Sequence, residues 1–254
     1  MSFSSHAVLE EGWHFAKKSY WHWWPVFIVA VLVPGVLQLV GGALGGWAAN
    51  MEGVGASLVA ALGVIVTILA VLASLLMSLG VFRNAYAVSG GETPSVARLF
   101  QRVNFWWFVV AMLVYLAMVT IGLFALVIPG IIVAFMLSLF PYALIAGNAN
   151  NGFSALATSW DRISSHFWRY MGLRVVLTGV PLAVLIAAVG FLVIIGGGAA
   201  LGTSAFTGGV AGGVIVAILG VAGLVAFFLL YILAVVYLFT CDALAYRKLA
   251  PSWA

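Results

Sequence analysis

The side chains that could carry chemistry are few. Bases stand at Lys17, Lys18, Arg83, Arg98, Arg102, Arg162, Arg169, Arg174, Arg247 and Lys248, and acids at Glu10, Glu11, Glu52, Glu92, Asp161 and Asp242. Beside them are His6, His14, His22 and His166 and one cysteine, Cys241. None is spaced for catalysis: there is no nucleophile elbow, no His-Glu-x-x-His, no phosphate loop, and no pair of carboxylates that a fold would gather inside a membrane. The expectation is a protein that is not an enzyme and holds no cofactor or metal. His14 and His22 are eight residues apart and share a helix face; ordinary interfacial histidines are the plain reading, a pH-sensitive contact or a metal site the alternatives. A lone cysteine excludes an internal disulfide, and Cys241 reads as a small apolar filler, with thiol chemistry or lipidation the alternative.

The intervals between these charges say what must position them. Of 254 residues, 65% are hydrophobic and 6% charged, with mean hydropathy +1.24; a soluble domain carries roughly a quarter charged residues, so a water-soluble monomer is excluded. Residues 19 to 51 and 53 to 82 are free of charge and suit one span each, while 103 to 160 and 175 to 241 each suit two and a turn. The fold class is therefore all-α: a polytopic helical membrane protein, one membrane domain over 1–254 with six transmembrane helices. The spans fall near Trp24 to Leu44, Leu58 to Phe82, Phe105 to Ile128, Ile131 to Gly147, Met171 to Ile195 and Val214 to Thr240. Pro25 suits a helix start, Pro34-Gly35 a kink, and Ile128-Pro129-Gly130 a turn between the third and fourth spans. That fourth span is short; a crossing tilted or kinked at Pro141 and a re-entrant hairpin share one charge pattern. The spacings Gly41/Gly45, Gly42/Gly46, Gly208/Gly212 and Gly209/Gly213 belong to flexible loops or to a close helix seam.

All ten basic residues fall in the N-terminus, the 83–104 loop, the 148–174 segment or the C-terminus. Six spans put these four segments on one side, and the positive-inside rule makes that side the cytoplasm. Both termini are expected there, in a multi-pass protein of the inner (plasma) membrane, with the loops near Glu52, Pro129 and Thr203 outside. The first 18 residues hold Glu10 and Glu11 and no apolar core, unlike a cleaved signal. The net charge of +4 and pI near 9.4 make no continuous basic stripe, which excludes nucleic acid as a partner. Within the spans no Asp, Glu or Lys is expected, and Arg174 snorkels to the headgroups.

A short amphipathic stretch precedes each pair of spans: Leu9, Trp13, Ala16 and Tyr20; Val96, Phe100, Val103 and Trp107; Leu156, Trp160, Ile163 and Phe167. The next aligned positions, Trp21, Phe108 and Trp168, are aromatic too. The chain thus reads as three units, 1–82, 93–147 and 153–240, each a surface helix with a hairpin of spans, through true repetition or shared membrane-boundary physics. Eight of ten tryptophans lie in or beside these elements, predicting a collar in the headgroup layer of one leaflet. Its membrane-interface residues are Trp13, Lys17, Lys18, Phe100, Trp107, Trp160, Arg162 and Trp168. Polar residues at depth, chiefly Gln38, Thr120 and Tyr142, serve helix packing or line a path for a neutral or amphiphilic solute.

The segment 125–170, with Ile128-Pro129-Gly130, Ser154-Ala155-Leu156, Ser159-Trp160 and Phe167-Trp168-Arg169, resembles the membrane domain of glycerophosphoryl diester phosphodiesterases and its stand-alone bacterial relatives. Gly90 to Ser95 and Asp242 to Leu249 look similar as well. The resemblance implies six spans and carries over no hydrolase activity, because only residues 241–254 follow the last span. The function expected is a non-enzymatic protein that organises membrane lipids, or a membrane-protein partner or second copy, through its collar; the alternative is a transporter or channel.

Overall fold

A computed structural model describes residues 4–101, 104–179, 182–183, 186, 190 and 210–249, with the backbone alone for 125 and 210–228. The described residues are helical and turn structure with no strand. The chain runs α1 (Ser5–Ala48), α2 (Val54–Val88), a short 3-10 helix (Val96–Phe100), α3 (Phe105–Ala125), α4 (Val127–Met136), α5 (Phe140–Ile145), α6 (Gly152–Ser164), α7 (helical over 167–179) and α8 (Val210–Lys248). Five stretches are long and apolar enough to cross a membrane: α1, α2, Phe105–Phe124, α4 with α5, and Leu229–Lys248. The fifth expected span past 179 with its Pro181, the loop at Thr203, the Gly208 and Gly209 spacings, Val103 and Trp253 lie mostly or wholly outside the described residues.

The first surface element and first span are one helix, not two. Ser4 caps α1, accepting from the Ala7 N–H, and Pro25 and Pro34 lie inside it. At about 1.5 Å per residue its 44 residues measure ~66 Å, twice a ~30 Å bilayer core, so only part of it can cross. The leading part runs antiparallel to α8: the Tyr20 hydroxyl donates to the Leu229 carbonyl, that of Tyr237 to the Leu9 carbonyl, and Trp13 meets Tyr237 edge-on. The second surface element also departs from expectation. It is a five-residue 3-10 helix that buries Leu99 and leaves Phe100 exposed, and it stops short of Asn104, whose φ of 58° cannot continue a helix. Only α6 is a discrete α-helix, with an Asn151–Ser154 capping box.

Helix α3 turns into α4 at the single extended residue Leu126, two residues before the expected site. Pro129 then sits in the first turn of α4, where a missing N–H costs nothing. Gly130 is needed for contact: a Cβ there would lie 2.5 Å from the Leu123 nitrogen. Further on, the helix breaks over 137–139, as Pro141 at the start of α5 requires, because its ring would collide with the carbonyl four residues back.

Burial divides the molecule. In the most apolar stretches of α1, α2 and α3, 11% of residues are buried, against 50% in α4 with α5 and 56% in the last stretch of α8. Val31, Leu39, Leu58, Ile121 and Phe124 are bare, an apolar surface that lipid satisfies and water does not. The core lies at the end that carries the basic residues, where Trp23, Leu79, Leu99, Phe108, Tyr142, Ile163, Tyr170 and Tyr246 are all but inaccessible. Phe82 sits among Phe108, Tyr142 and Phe239 at ring separations of 6.3, 5.6 and 5.2 Å.

Away from that core α1 and α2 meet through glycine. A Cβ on Gly63 would lie 3.2 Å from the Gly41 oxygen and the Gly45 nitrogen, so Gly41/Gly45 forms a helix seam, whereas Gly42 and Gly46 have open space beside them. Gly63→Leu should lower the unfolding midpoint in detergent, at a cost of about 1–3 kcal/mol, and Gly42→Leu should leave it unchanged. Equal midpoints for the two variants would exclude the seam.

Candidate functional site

Between the α1–α2 hairpin, α3, the 137–139 break and α8 lies a cavity of about 490 Å³. Phe27, Val31 and Pro34 of α1, Leu75 and Val81 of α2, and Phe108 and Met112 of α3 make its walls apolar. Its polar groups are Ser74, Ser78, Tyr115, Ser138, Arg174 and Asp242. Two of these are charged, and they are paired.

Arg174 of α7 donates through Nη1 to Oδ2 of Asp242 on α8. The Asp242 side chain is 4% exposed and that of Arg174 20%, so the pair is held out of bulk water. Arg174, expected to reach for the headgroups, thus meets an acid on α8, and Asp242 falls within the helical stretch Leu229–Lys248. Isolated, either charge would be costly to bury, and the pairing is what admits both. The other carboxylate oxygen, Asp242 Oδ1, is buried and accepts no hydrogen bond among the described residues.

The adjoining break is held by side chains. Ser159, buried in α6, donates to the Met136 carbonyl at 2.8 Å and accepts from the Leu139 N–H at 3.1 Å, supplying both partners that the interrupted helix lacks. Ser138 and Tyr170 share a hydrogen bond of 2.7 Å. The Tyr142 hydroxyl donates to the Phe239 carbonyl, fixing α5 to α8. A broken helix carrying polar groups beside a cavity is tolerated at membrane depth only where protein or the cavity satisfies its backbone.

The expected solute path is not assembled. Gln38 and Thr120 are exposed, Tyr142 is enclosed in the core, and none of them lines this cavity. Of the expected interface residues, Trp13, Lys17, Lys18, Phe100, Trp107, Trp160 and Trp168 are exposed, Trp168 at 80%. Arg162 is turned inward instead, its guanidinium 3.9 Å from the Tyr246 ring centre and donating to the Tyr246 carbonyl. Cation–π attraction and a backbone acceptor hold it there. Cys241 is buried against Val8 and Gly12, as a filler would be. Sequence reasoning missed the ion pair because 68 residues separate its members; the available signal was that Asp242 is followed by a largely apolar run, Ala243-Leu244-Ala245-Tyr246.

Among the described residues no three His, Cys, Asp or Glu side chains are grouped to hold a metal ion. The arrangement can seat an apolar chain along its walls and hydrogen-bond a polar head at one end. No family model, curated protein or solved structure matches the chain.

Removing one member of the pair strands the other. Arg174→Met should destabilise the protein by about 3–5 kcal/mol, whereas Arg174→Met with Asp242→Leu should recover most of that loss. Unfolding in mixed detergent micelles, followed by tryptophan fluorescence, reads both. A double variant no more stable than Arg174→Met would show that the pair is not isolated from water as described.

Proposed function

We propose that the chain is a non-enzymatic, multi-pass inner-membrane protein, both termini cytoplasmic, that binds an amphiphilic lipid in this cavity and organises lipid around its collar. The observation that carries the reading is the cavity: apolar walls along α1, α2 and α3 and one ionic end at Arg174 and Asp242. An acyl chain gains from burial on such walls at about 25 cal/mol per Å², while a head with a hydroxyl or ammonium group has the Asp242 Oδ1 acceptor within the same enclosure. The seven exposed interface residues belong to elements at the packed end, which accords with a collar in one leaflet. Kinship with the membrane domain of glycerophosphoryl diester phosphodiesterases belongs to the same proposal and brings no catalytic residue with it.

A second reading, passage of that amphiphile across the membrane, is favoured by the interrupted α4–α5 helix, whose Ser138 and Phe140 line the cavity. Discontinuous helices form the substrate sites of many transporters.

A lipid bearing a photoreactive group in its acyl chain tests binding in reconstituted membranes. Labelling should concentrate on peptides containing Phe27–Pro34 and Met112–Tyr115, and filling the cavity with Met112→Trp should reduce it about tenfold at Phe27–Pro34. Labelling spread evenly over the exposed faces of α1 to α3 and indifferent to Met112→Trp would count against a lipid site. Faster lipid exchange between leaflets in proteoliposomes, lost in the same variant, would decide for transport over static binding.

A further inference from the structure

A second pocket, of about 260 Å³, opens between the basic-end parts of α2, the 3-10 helix and α8. Its walls carry three guanidiniums, Arg83, Arg98 and Arg247, and one carboxylate, Glu92. Arg83 is buried and donates to the Gln101 carbonyl. Arg98 donates to the Thr93 carbonyl at 2.7 Å and pairs with Glu92. Arg247 lies 4.2 Å over the Tyr86 ring and donates to the Tyr86 carbonyl at 2.8 Å. These bonds fix where the guanidiniums sit, and they come from three separate elements of the fold.

The charges do not balance. Among the described residues three permanent cations face a single acid, and like charges drawn together in a confined, partly desolvated space repel unless an anion joins them. A guanidinium has five N–H donors, and the bonds named for Arg98 and Arg247 use only part of each set. The planar fork of those donors matches the oxygens of a phosphate two at a time. Basic pockets between helices at the membrane surface are where phosphate headgroups lodge.

We propose that this pocket is a phosphate-binding site, with Arg98 and Arg247 gripping the oxygens, Arg83 supplying charge from beneath and Glu92 acting as the competitor that the phosphate displaces from Arg98. The phosphate comes on a lipid headgroup or free in solution. The pocket shares no residue with the apolar cavity, so either site can fail alone.

The test uses the full chain in detergent micelles and three probes: dioleoyl phosphatidate, dioleoylglycerol with the same tails and no phosphate, and inorganic phosphate, with bound lipid counted by native mass spectrometry. Phosphatidate should bind about tenfold more tightly than dioleoylglycerol, Arg98→Gln with Arg247→Gln should bring the two to parity, and Glu92→Gln should tighten phosphatidate a few-fold. Because Glu92→Gln acts in the opposite direction, a misfolded arginine variant cannot imitate the full pattern. Inorganic phosphate that displaces phosphatidate from the wild type at equal concentration would assign the site to the free ion and still uphold it. The proposal is overturned if the arginine variant keeps the preference, if Glu92→Gln weakens binding, or if the wild type distinguishes neither phosphatidate nor free phosphate.

Discussion

A guanidinium and a carboxylate removed together from water tie α7 to α8, and the rest of the packed end is arranged to keep them so. Each charge alone would cost several kcal/mol to bury, which makes the position of one helix a condition on the other. Tyr142 bonds to α8 three residues before Asp242, and Tyr170, one turn before Arg174, bonds to Ser138 in the break. Ser159 then holds that break from the α6 side. Polar groups from five segments thus converge where the chain also buries the rings of Phe108, Tyr142, Tyr170 and Tyr246.

The remainder of the molecule answers to a different solvent. The outer parts of α1, α2 and α3 leave their apolar side chains bare, satisfy their backbone groups within each helix, and pack closely where small residues permit, as at Gly41 and Gly63. The cavity lies where these two regimes meet, which gives it lipid-like walls and an ionic end. Apolar walls with a charged extremity are the complement that the proposed amphiphile requires.

Helix class and several stretches apolar enough to cross a membrane were legible because hydropathy acts over long windows and each charge marks an edge. The same rule failed at Asp242. A charge marks a boundary under that rule, yet α8 stays buried from Thr240 through Tyr246, with Asp242 neutralised by Arg174, distant in sequence. Amphipathic spacing found the exposed rings of Trp13 and Trp160 but assigned a helix to 96–107, where left-handed Asn104 interrupts the chain. It likewise separated α1 into two elements at Pro25, although the helix continues through that proline. Arg162 shows the limit for single charges: its ring partner, Tyr246, could not be known without the fold.

On the proposed function a lipid occupies the cavity with its head at the buried ion pair. Electron cryomicroscopy of the full chain in lipid nanodiscs, with a bound antibody fragment to aid alignment, addresses it most directly. The account predicts elongated density running between Phe27 and Met112 and ending within hydrogen-bonding distance of Asp242 Oδ1. Walls collapsed onto one another, or a cavity holding only water around an open Arg174–Asp242 pair, would contradict it.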